Sequence, residues 1–393
     1  MNQAATLQEP QSAQKPALSL ATHLGVASKI NLGSFYTPSK YVRLVAEWLR
    51  AHGIPENAVV ADVAAGYGAF FELSSMEGLV KCRFVANDID HVAVLKGSSY
   101  FPRVEWHEGN ALVDVSRIRY GIGEHEHLVI VGNPPYNDVT SEINHGVKTA
   151  SRVCEIDGDI ATRDLGMSFL NSYDKLKADH VAVLHPLSYL IKRSNYSSCR
   201  RFFRNYRMIE HLVFSSQEFA GTSRLSAFPV VVALYERAPF RGLSYEEIRM
   251  FKFKTAEEAT FSINSFDYVT DYVDKYPGNG RFNPEILFYT LRDINALKRS
   301  RTFLPERIPN AVDVNPEKFA YYCYIDCFKR YANVPYYMGN FNIPFDKATF
   351  ADVSCDVVKD AAYHHPEVFG HLAPPKPAEV ENIRGYIERC LHK

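Results

Sequence analysis

The stretch Val59-Val-Ala-Asp-Val-Ala-Ala-Gly-Tyr-Gly-Ala-Phe70 runs as an apolar strand into an acid, Asp62, then through a glycine turn, Gly66-x-Gly68, into a helix-prone segment. Glycines in such a turn let the backbone approach a ligand closely and aim amide N–H groups at it. A G-x-G pair alone occurs in ordinary turns, so its surroundings matter. The next apolar run, Arg83–Ala86, ends in Ala86-Asn-Asp-Ile-Asp90 and places Asp88 at 22 residues beyond Gly66. An acid there hydrogen-bonds ribose hydroxyls in nucleoside-binding α/β folds. The third glycine of the dinucleotide fingerprint is absent, which disfavours NAD and FAD.

Outward from this stretch, short apolar runs recur at Val104–Trp106, Leu128–Val131, Val181–Leu184, Ile209–Phe214 and Val230–Leu234. Helix-period segments lie between some of them. Tyr41, Val45, Trp48 and Leu49 share one face, with Ser39 as cap and Gly53 as stop, and Leu165, Phe169, Tyr173 and Leu176 share another. Strands alternating with helices imply an α/β fold with a mostly parallel sheet covered on both faces. Regularity fades after Glu236, and Arg237-Ala-Pro-Phe-Arg-Gly242 reads as a linker. The remainder mixes short strands, aromatics and prolines, an α+β or irregular domain that ends in an amphipathic helix through Val380, Ile383, Ile387 and Leu391. Residues 1–30 read as a mobile tail, 31–240 as one domain and 241–393 as a second.

The composition agrees with a globular protein: 393 residues, 46% hydrophobic and 23% charged. No apolar run reaches the roughly 18 residues of a membrane span, and the N-terminus lacks the pattern of a signal peptide, so a cytoplasmic protein without membrane contact is expected. The seven scattered cysteines fit reduced thiols. Cys323 and Cys327 have no second close pair, YYCYIDCF reads as a buried segment, and no metal site is expected.

A second stretch carries the chemistry. Leu128-Val-Ile-Val-Gly-Asn-Pro-Pro-Tyr136 is an apolar strand that empties into Asn133, Pro134, Pro135 and Tyr136. Ligands of open α/β sheets sit beyond the carboxyl ends of strands. Consecutive prolines fix the backbone and leave carbonyls free of ladder bonds. The Asn133 side-chain oxygen and the Pro134 carbonyl can together accept two hydrogen bonds from a planar NH2 group. That draws the nitrogen lone pair out of conjugation, towards attack on an electrophilic methyl, while Tyr136 offers a ring for stacking.

These two motifs together resemble the S-adenosylmethionine-dependent amino-methyltransferases, and more narrowly the gamma-class adenine-specific DNA methyltransferases of restriction-modification systems. The resemblance spans roughly residues 30 to 237. Gly33-Ser-Phe-Tyr-Thr-Pro38 resembles the family's F-Y-T-P element, and its position before the glycine loop marks the gamma order. Asp164-Leu-Gly-Met-Ser-Phe169, Val181 to Leu190, Arg201-Phe-Phe, Ile209 to Phe214 and Phe228 to Arg237 follow in family order. The resemblance implies a Rossmann-like methyltransferase sheet with a C-terminal target-recognition domain at 241–393. It places S-adenosylmethionine against Phe35, Tyr36, Thr37, Pro38, Asp62, Ala64, Gly66, Gly68, Asp88, Ile89, Asn110, Ala111 and Phe169. It makes Asn133, Pro134, Pro135 and Tyr136 the catalytic loop. Three positions depart from the family: Val63 for Pro, Tyr67 for Ser or Thr, and Asn110 for Asp. Asn accepts as a neutral, weaker partner than a carboxylate, so the departures bear on cofactor affinity.

The implied reaction is direct transfer of a methyl group to the exocyclic amino group of an adenine swung out of duplex DNA. The extruded base stacks between Tyr136 and a second aromatic ring, Phe219 rather than Phe228, which reads as core. No Pro-Cys dipeptide of the cytosine enzymes occurs. Lys192, Arg193, Arg200 and Arg201, with Arg204 and Arg207, form a basic stretch for DNA; Arg292, Lys298, Arg299, Arg301 and Arg307 form another. A monomer is expected, and a separately encoded cognate restriction endonuclease is a partner that the family allows. The alternatives are a protein glutamine methyltransferase, which also uses N-P-P-Y, an RNA adenine methyltransferase, and a non-catalytic DNA-binding subunit. A net charge of -1 first argues against nucleic acid. Base flipping needs only a concave basic face, however, so the balance instead implies weak non-specific binding that fades with salt.

Overall fold

The structure is a computed structural model and describes residues 37–136, 155–219, 227–263, 267–274, 276–277, 288–291, 294, 302–338, 342–370 and 379–391. Two compact units divide the chain. The first comprises residues 1–211, 216–225 and 230–244, and the second 212–215, 226–229 and 245–393.

Seven strands form one sheet: β1 Val59–Asp62, β2 Arg83–Asp88, β3 Glu105–Glu108, β4 Leu128–Gly132, β5 His180–Pro186, β6 Tyr206–Ser215 and β7 Pro229–Arg237. Each contains or overlaps one of the apolar runs read from the sequence. Their order is β3-β2-β1-β4-β5-β7-β6. β1 to β5 run parallel, with Ala61 beside Val85 on one flank and Ile130 on the other. β7 runs antiparallel to β5, Val183 facing Ala233. β1 and β4 are buried along their whole length, as continuous apolar strands covered on both faces must be. This is the mixed, parallel-dominated Rossmann-like α/β sheet that the alternation implies.

Helix α1, Ser39–Ala51, buries Tyr41, Val42, Val45 and Leu49, and Trp48 is half-buried. Ser39 does not cap it. Pro38 occupies the cap position, and Ser39, already inside the first turn, donates its hydroxyl to Glu72 at 3.2 Å. The stretch after the glycine turn is not an α-helix but a 3-10 segment, Ala69–Ser75. Its Phe70, Phe71 and Leu73 are all buried. Phe71 meets Phe84, Phe101 and Trp106 edge-on at 6.2, 6.1 and 5.6 Å. Asp90 caps α2, His91–Tyr100, through the N–H groups of Val92 and Ala93. Helix α3, Leu165–Lys175, buries the expected Leu165, Phe169 and Tyr173, and Leu176 follows as its C-cap.

The second unit is built on α4 Phe319–Tyr331, α5 Ser354–His364 and α6 Val380–Leu391, with short antiparallel pairs such as Phe288–Thr290 on Val312–Val314. Tyr322, Tyr324, Ile325, Val357, Ile383 and Tyr386 share its core. Cys323 and Cys327 are buried in α4, and the Cys327 thiol donates to Asp360 at 3.3 Å. Beside them Asp326 pairs with Arg330 at 2.5 Å and with His365 at 3.0 Å, and Tyr331 donates to Asp360 at 2.7 Å. The Asp326 hydrogen bond raises the His365 pKa above its ordinary 6.5, against the effect of burial. Burial works to raise Asp326, but the His365 and Arg330 contacts outweigh it and lower the carboxyl below 3.8.

The signs define a pH window. The raised His365 stabilises fully below pH 6.5, and its contribution is lost as pH rises through its folded value. The lowered Asp326 stabilises above pH 3.8 and is lost as pH falls through its own folded value. Hydrogen exchange of the α4 amides is therefore expected to speed up in the wild type, beyond the intrinsic effect of hydroxide, as pH rises from 6.5 through the folded pKa of His365. His365→Gln removes that excess; an unchanged excess in the variant contradicts the assignment.

Candidate functional site

Because β1 to β5 run parallel, their carboxyl ends share one edge of the sheet. The chain builds outward from β1 through β2 to β3, then returns to start β4 on the other flank of β1. The border between β1 and β4 is thus a topological switch point, the place where open α/β sheets bind ligands. Asp62 ends β1 there, and Asn133 to Tyr136 leave β4. Asp62 packs against the last residue of β4, just before Asn133: a Cβ added to Gly132 would stand 3.0 Å from Asp62 Oδ1. Asp62 is 3% exposed, and its Oδ1 accepts the Ala64 N–H at 3.1 Å. Burial pushes its pKa up to about 8 despite that bond, so the carboxyl holds its proton at neutral pH unless a cation lies beside it.

Both glycines of the turn are left-handed. Gly66 has φ +53 with nothing within 4 Å of a Cβ built there, so the backbone faces open space. Gly68 has φ +86, and its Cβ would stand 2.9 Å from Phe71 Cδ2 and 3.1 Å from Phe101 Cδ2. Gly68→Ala is expected to cost about 1–3 kcal/mol of stability in denaturant unfolding, from backbone strain and crowding. Gly66→Ala incurs the strain alone; equal losses for the two would contradict the packing role of Gly68.

Asp88 ends β2. Its Oδ2 accepts the Gly66 N–H at 2.7 Å and its Oδ1 the Asp90 N–H at 2.9 Å. Burial raises its pKa, and these N–H groups oppose the rise. Ile89 beside it is 56% exposed, an apolar face next to an acid. Asn110 follows β3. Its oxygen accepts the Leu112 N–H at 3.0 Å, and its amide donates to the Glu155 carbonyl at 2.7 Å. Ala111 is buried. Thr37 is 2% exposed and Pro38 opens α1; Phe35 and Tyr36 lie outside the described residues, as does the tail 1–30. Phe169 packs inside the unit on α3, 6% exposed.

Pro134 is buried, while Asn133, Pro135 and Tyr136 are half-buried. The Tyr136 hydroxyl lies inward, and burial raises its pKa. Phe219 is 2% exposed, so a stacking role requires the 3-10 turn Ser216–Glu218 to open. Phe228, expected in the core, is only half-buried where it precedes β7. Glu218 holds that turn to α1: the Tyr41 hydroxyl donates to it at 2.8 Å and Lys40 pairs with it.

Lys192, Arg193 and Arg200 are exposed, and the first two lie one short helix beyond the carboxyl end of β5. Arg201 is held within its own unit, by Asp174 at 2.7 Å and Asp159 at 3.2 Å. Arg207 pairs with Glu236, and Arg204 lies over the Phe240 ring at 4.4 Å. Of the second basic cluster, Arg307 pairs with Asp313 at 3.5 Å, and Arg292, Lys298, Arg299 and Arg301 lie outside the described residues.

Asn87 escaped the sequence reading. It is 1% exposed, and its amide donates to the Val63 carbonyl at 3.1 Å and the Gly109 carbonyl at 2.9 Å. It thereby ties the loop after β1 to the loop after β3. A polar residue where a buried strand ends was its available signal. The Tyr41–Glu218 bond, across 177 residues, left none.

No family model matches this chain, and no curated protein does. Among solved structures, the methyltransferase subunit of a type I restriction-modification system from Streptococcus thermophilus is 15% identical. The match covers 59% of this chain and 48% of that one, with a TM-score of 0.38. A Vibrio vulnificus protein described as a modification subunit of a type I restriction enzyme is 15% identical over 58% and 51%, TM-score 0.39. A Pyrococcus horikoshii protein described as an RNA methyltransferase is 15% identical over 53% and 89%, TM-score 0.35. The matches span about half the length of the two restriction-modification subunits. Among the described residues no helix is long and apolar enough to cross a membrane.

Proposed function

We propose that this chain transfers a methyl group from S-adenosylmethionine to the exocyclic amino group of adenine in duplex DNA. In this reading it marks or protects a specific sequence in a restriction-modification or similar system. One observation supports the reading: at the switch point between β1 and β4, the buried acid Asp62 lies against Gly132, the residue from which the Asn133-Pro-Pro-Tyr136 loop departs. A cationic group beside Asp62 would lower its raised pKa and bring out the carboxylate, and an amide beside prolines suits a planar NH2.

The residues fit the cofactor. Gly66 faces open space, Asp88 retains lone pairs beside its two backbone bonds, and exposed Ile89 offers an apolar contact for an adenine ring. Asp62 and Ala64, with Thr37 and Pro38, would hold the methionine end, and Asp88 the ribose. The Asn110 oxygen, already bonded to Leu112, would take the cofactor amino group on its second lone pair. When bound, S-adenosylmethionine supplies the electrophilic methyl group.

The chain's own part is binding and orientation. Asn133 Oδ1 and the Pro134 carbonyl accept the two amino hydrogens and turn the nitrogen lone pair outward. Tyr136 takes one face of the extruded base, and Phe219 the other once its turn opens. Lys192, Arg193 and Arg200 are the candidate phosphate contacts, and the second unit is the candidate reader of sequence. Long-read sequencing of DNA from cells expressing the gene tests this. N6-methyladenine in one recurrent sequence context is the expected result. Unmodified DNA together with a methylated protein glutamine or RNA adenine contradicts it.

A further inference from the structure

Tyr189, Asp164 and Gly166 converge beneath Tyr136. A Cβ built on Gly166 would stand 2.5 Å from the Tyr189 hydroxyl oxygen and 3.1 Å from Tyr136 Cβ. Gly166 therefore serves as a spacer with no room for any side chain between the two tyrosines. One oxygen fixes where that spacer sits. Asp164 Oδ1 accepts the Gly166 N–H at 2.9 Å, the Met167 N–H at 3.4 Å and the Tyr189 hydroxyl.

Tyr189 is itself held from behind. Its ring stacks on His185 at 5.5 Å with 8° between planes. His185 Nδ1 lies 3.0 Å from the Pro186 carbonyl and so carries the hydrogen, leaving Nε2 to accept the Tyr235 hydroxyl at 2.8 Å. Burial keeps the imidazole neutral, its pKa down to about 4. From β7 and β5 a chain of contacts thus runs through His185 and Tyr189 to the Asp164 cap, then through Gly166 to the base of the Tyr136 ring.

We propose that the Tyr189 hydroxyl is a positioning group for Tyr136, acting through the Asp164 carboxylate and the Gly166 spacer. The inference rests on reading Tyr136 as the ring that holds the amino-bearing substrate. A tyrosine that merely fills the core would stabilise the unit without influencing how Tyr136 meets its substrate.

Tyr189→Phe in the full chain separates the two roles, because it keeps the ring and its stacking and deletes only the donor. The expected result is unchanged binding of S-adenosylmethionine and of duplex DNA, with kcat lowered about tenfold, the worth of one hydrogen bond to a charged group. In a Tyr136→Ala background the same substitution should cost nothing further in kcat, since the residue to be positioned is gone. Asp164→Asn, which keeps the cap oxygen but makes it neutral, should give a smaller fall and serves if Tyr189→Phe does not fold. Losses that multiply independently in the double variant, or an unchanged kcat in both single variants, overturn the inference. Should the wild type methylate no substrate, the functional reading fails separately. The Tyr136 ring resonances of isotope-labelled wild type and Tyr189→Phe then decide: a shifted or broadened Tyr136 ring supports the positioning, and an unmoved one overturns it.

Discussion

Asn133→Ala is expected to abolish methyl transfer while leaving DNA binding intact. Removing the side-chain oxygen deletes one of the two acceptors that orient the amino group and leaves the other, a backbone carbonyl, in place. Preorganised groups of this kind are worth about 10²–10³ in kcat each, and a loss at or beyond that size is expected in a labelled-methyl assay on duplex DNA. Affinity for the same DNA, read by gel shift, should change little, because Asn133 lies at the end of β4 and contributes no charge to phosphate binding. A variant that retains wild-type turnover would remove the loop from the mechanism.

Asp88→Asn is expected to weaken S-adenosylmethionine binding about 10–100-fold in calorimetry, with little change in DNA affinity. Hydrogen bonds to a charged group are worth roughly 1.5–3 kcal/mol. Asp88 also organises the loop it faces, since its two oxygens accept the N–H groups of Gly66 and Asp90. The amide can keep only one of its two ends as an acceptor, so a backbone bond and a ribose contact are lost together. Binding within twofold of the wild type would mean that the ribose sits elsewhere.

Much of the fold of the first unit was legible because its strands are short, apolar and punctuated by glycine or acid. Every run read as a strand has its counterpart in the sheet, from Val59–Asp62 to Pro229–Arg237. The positions of Asp62, Asp88 and Asn133 at carboxyl ends were legible for the same reason, each standing where an apolar run stops, whereas Asn110 was singled out only through the family resemblance. What periodicity misses is contact between distant elements. Gly166 reads as an ordinary helix residue until Tyr136 and Tyr189 are seen against it. Arg201 stands in an acid-free run of the sequence, yet the fold sets Asp174 and Asp159 beside it. The 3-10 segment at Ala69–Ser75 shows the limit of propensity, since the sequence there reads as helix-prone. In the second unit the final helix was legible from its stripe, whereas the Asp326–His365–Arg330 cluster assembles residues from separate elements.

A chain that methylates adenine in duplex DNA must leave its label on one nucleoside. The most direct measurement incubates the full chain with S-adenosylmethionine labelled in its methyl group and unmethylated genomic DNA, then resolves the digested nucleosides by mass. Label is expected in N6-methyldeoxyadenosine and is absent with Asn133→Ala. Label recovered only in protein or RNA, with none in any DNA nucleoside, would contradict it.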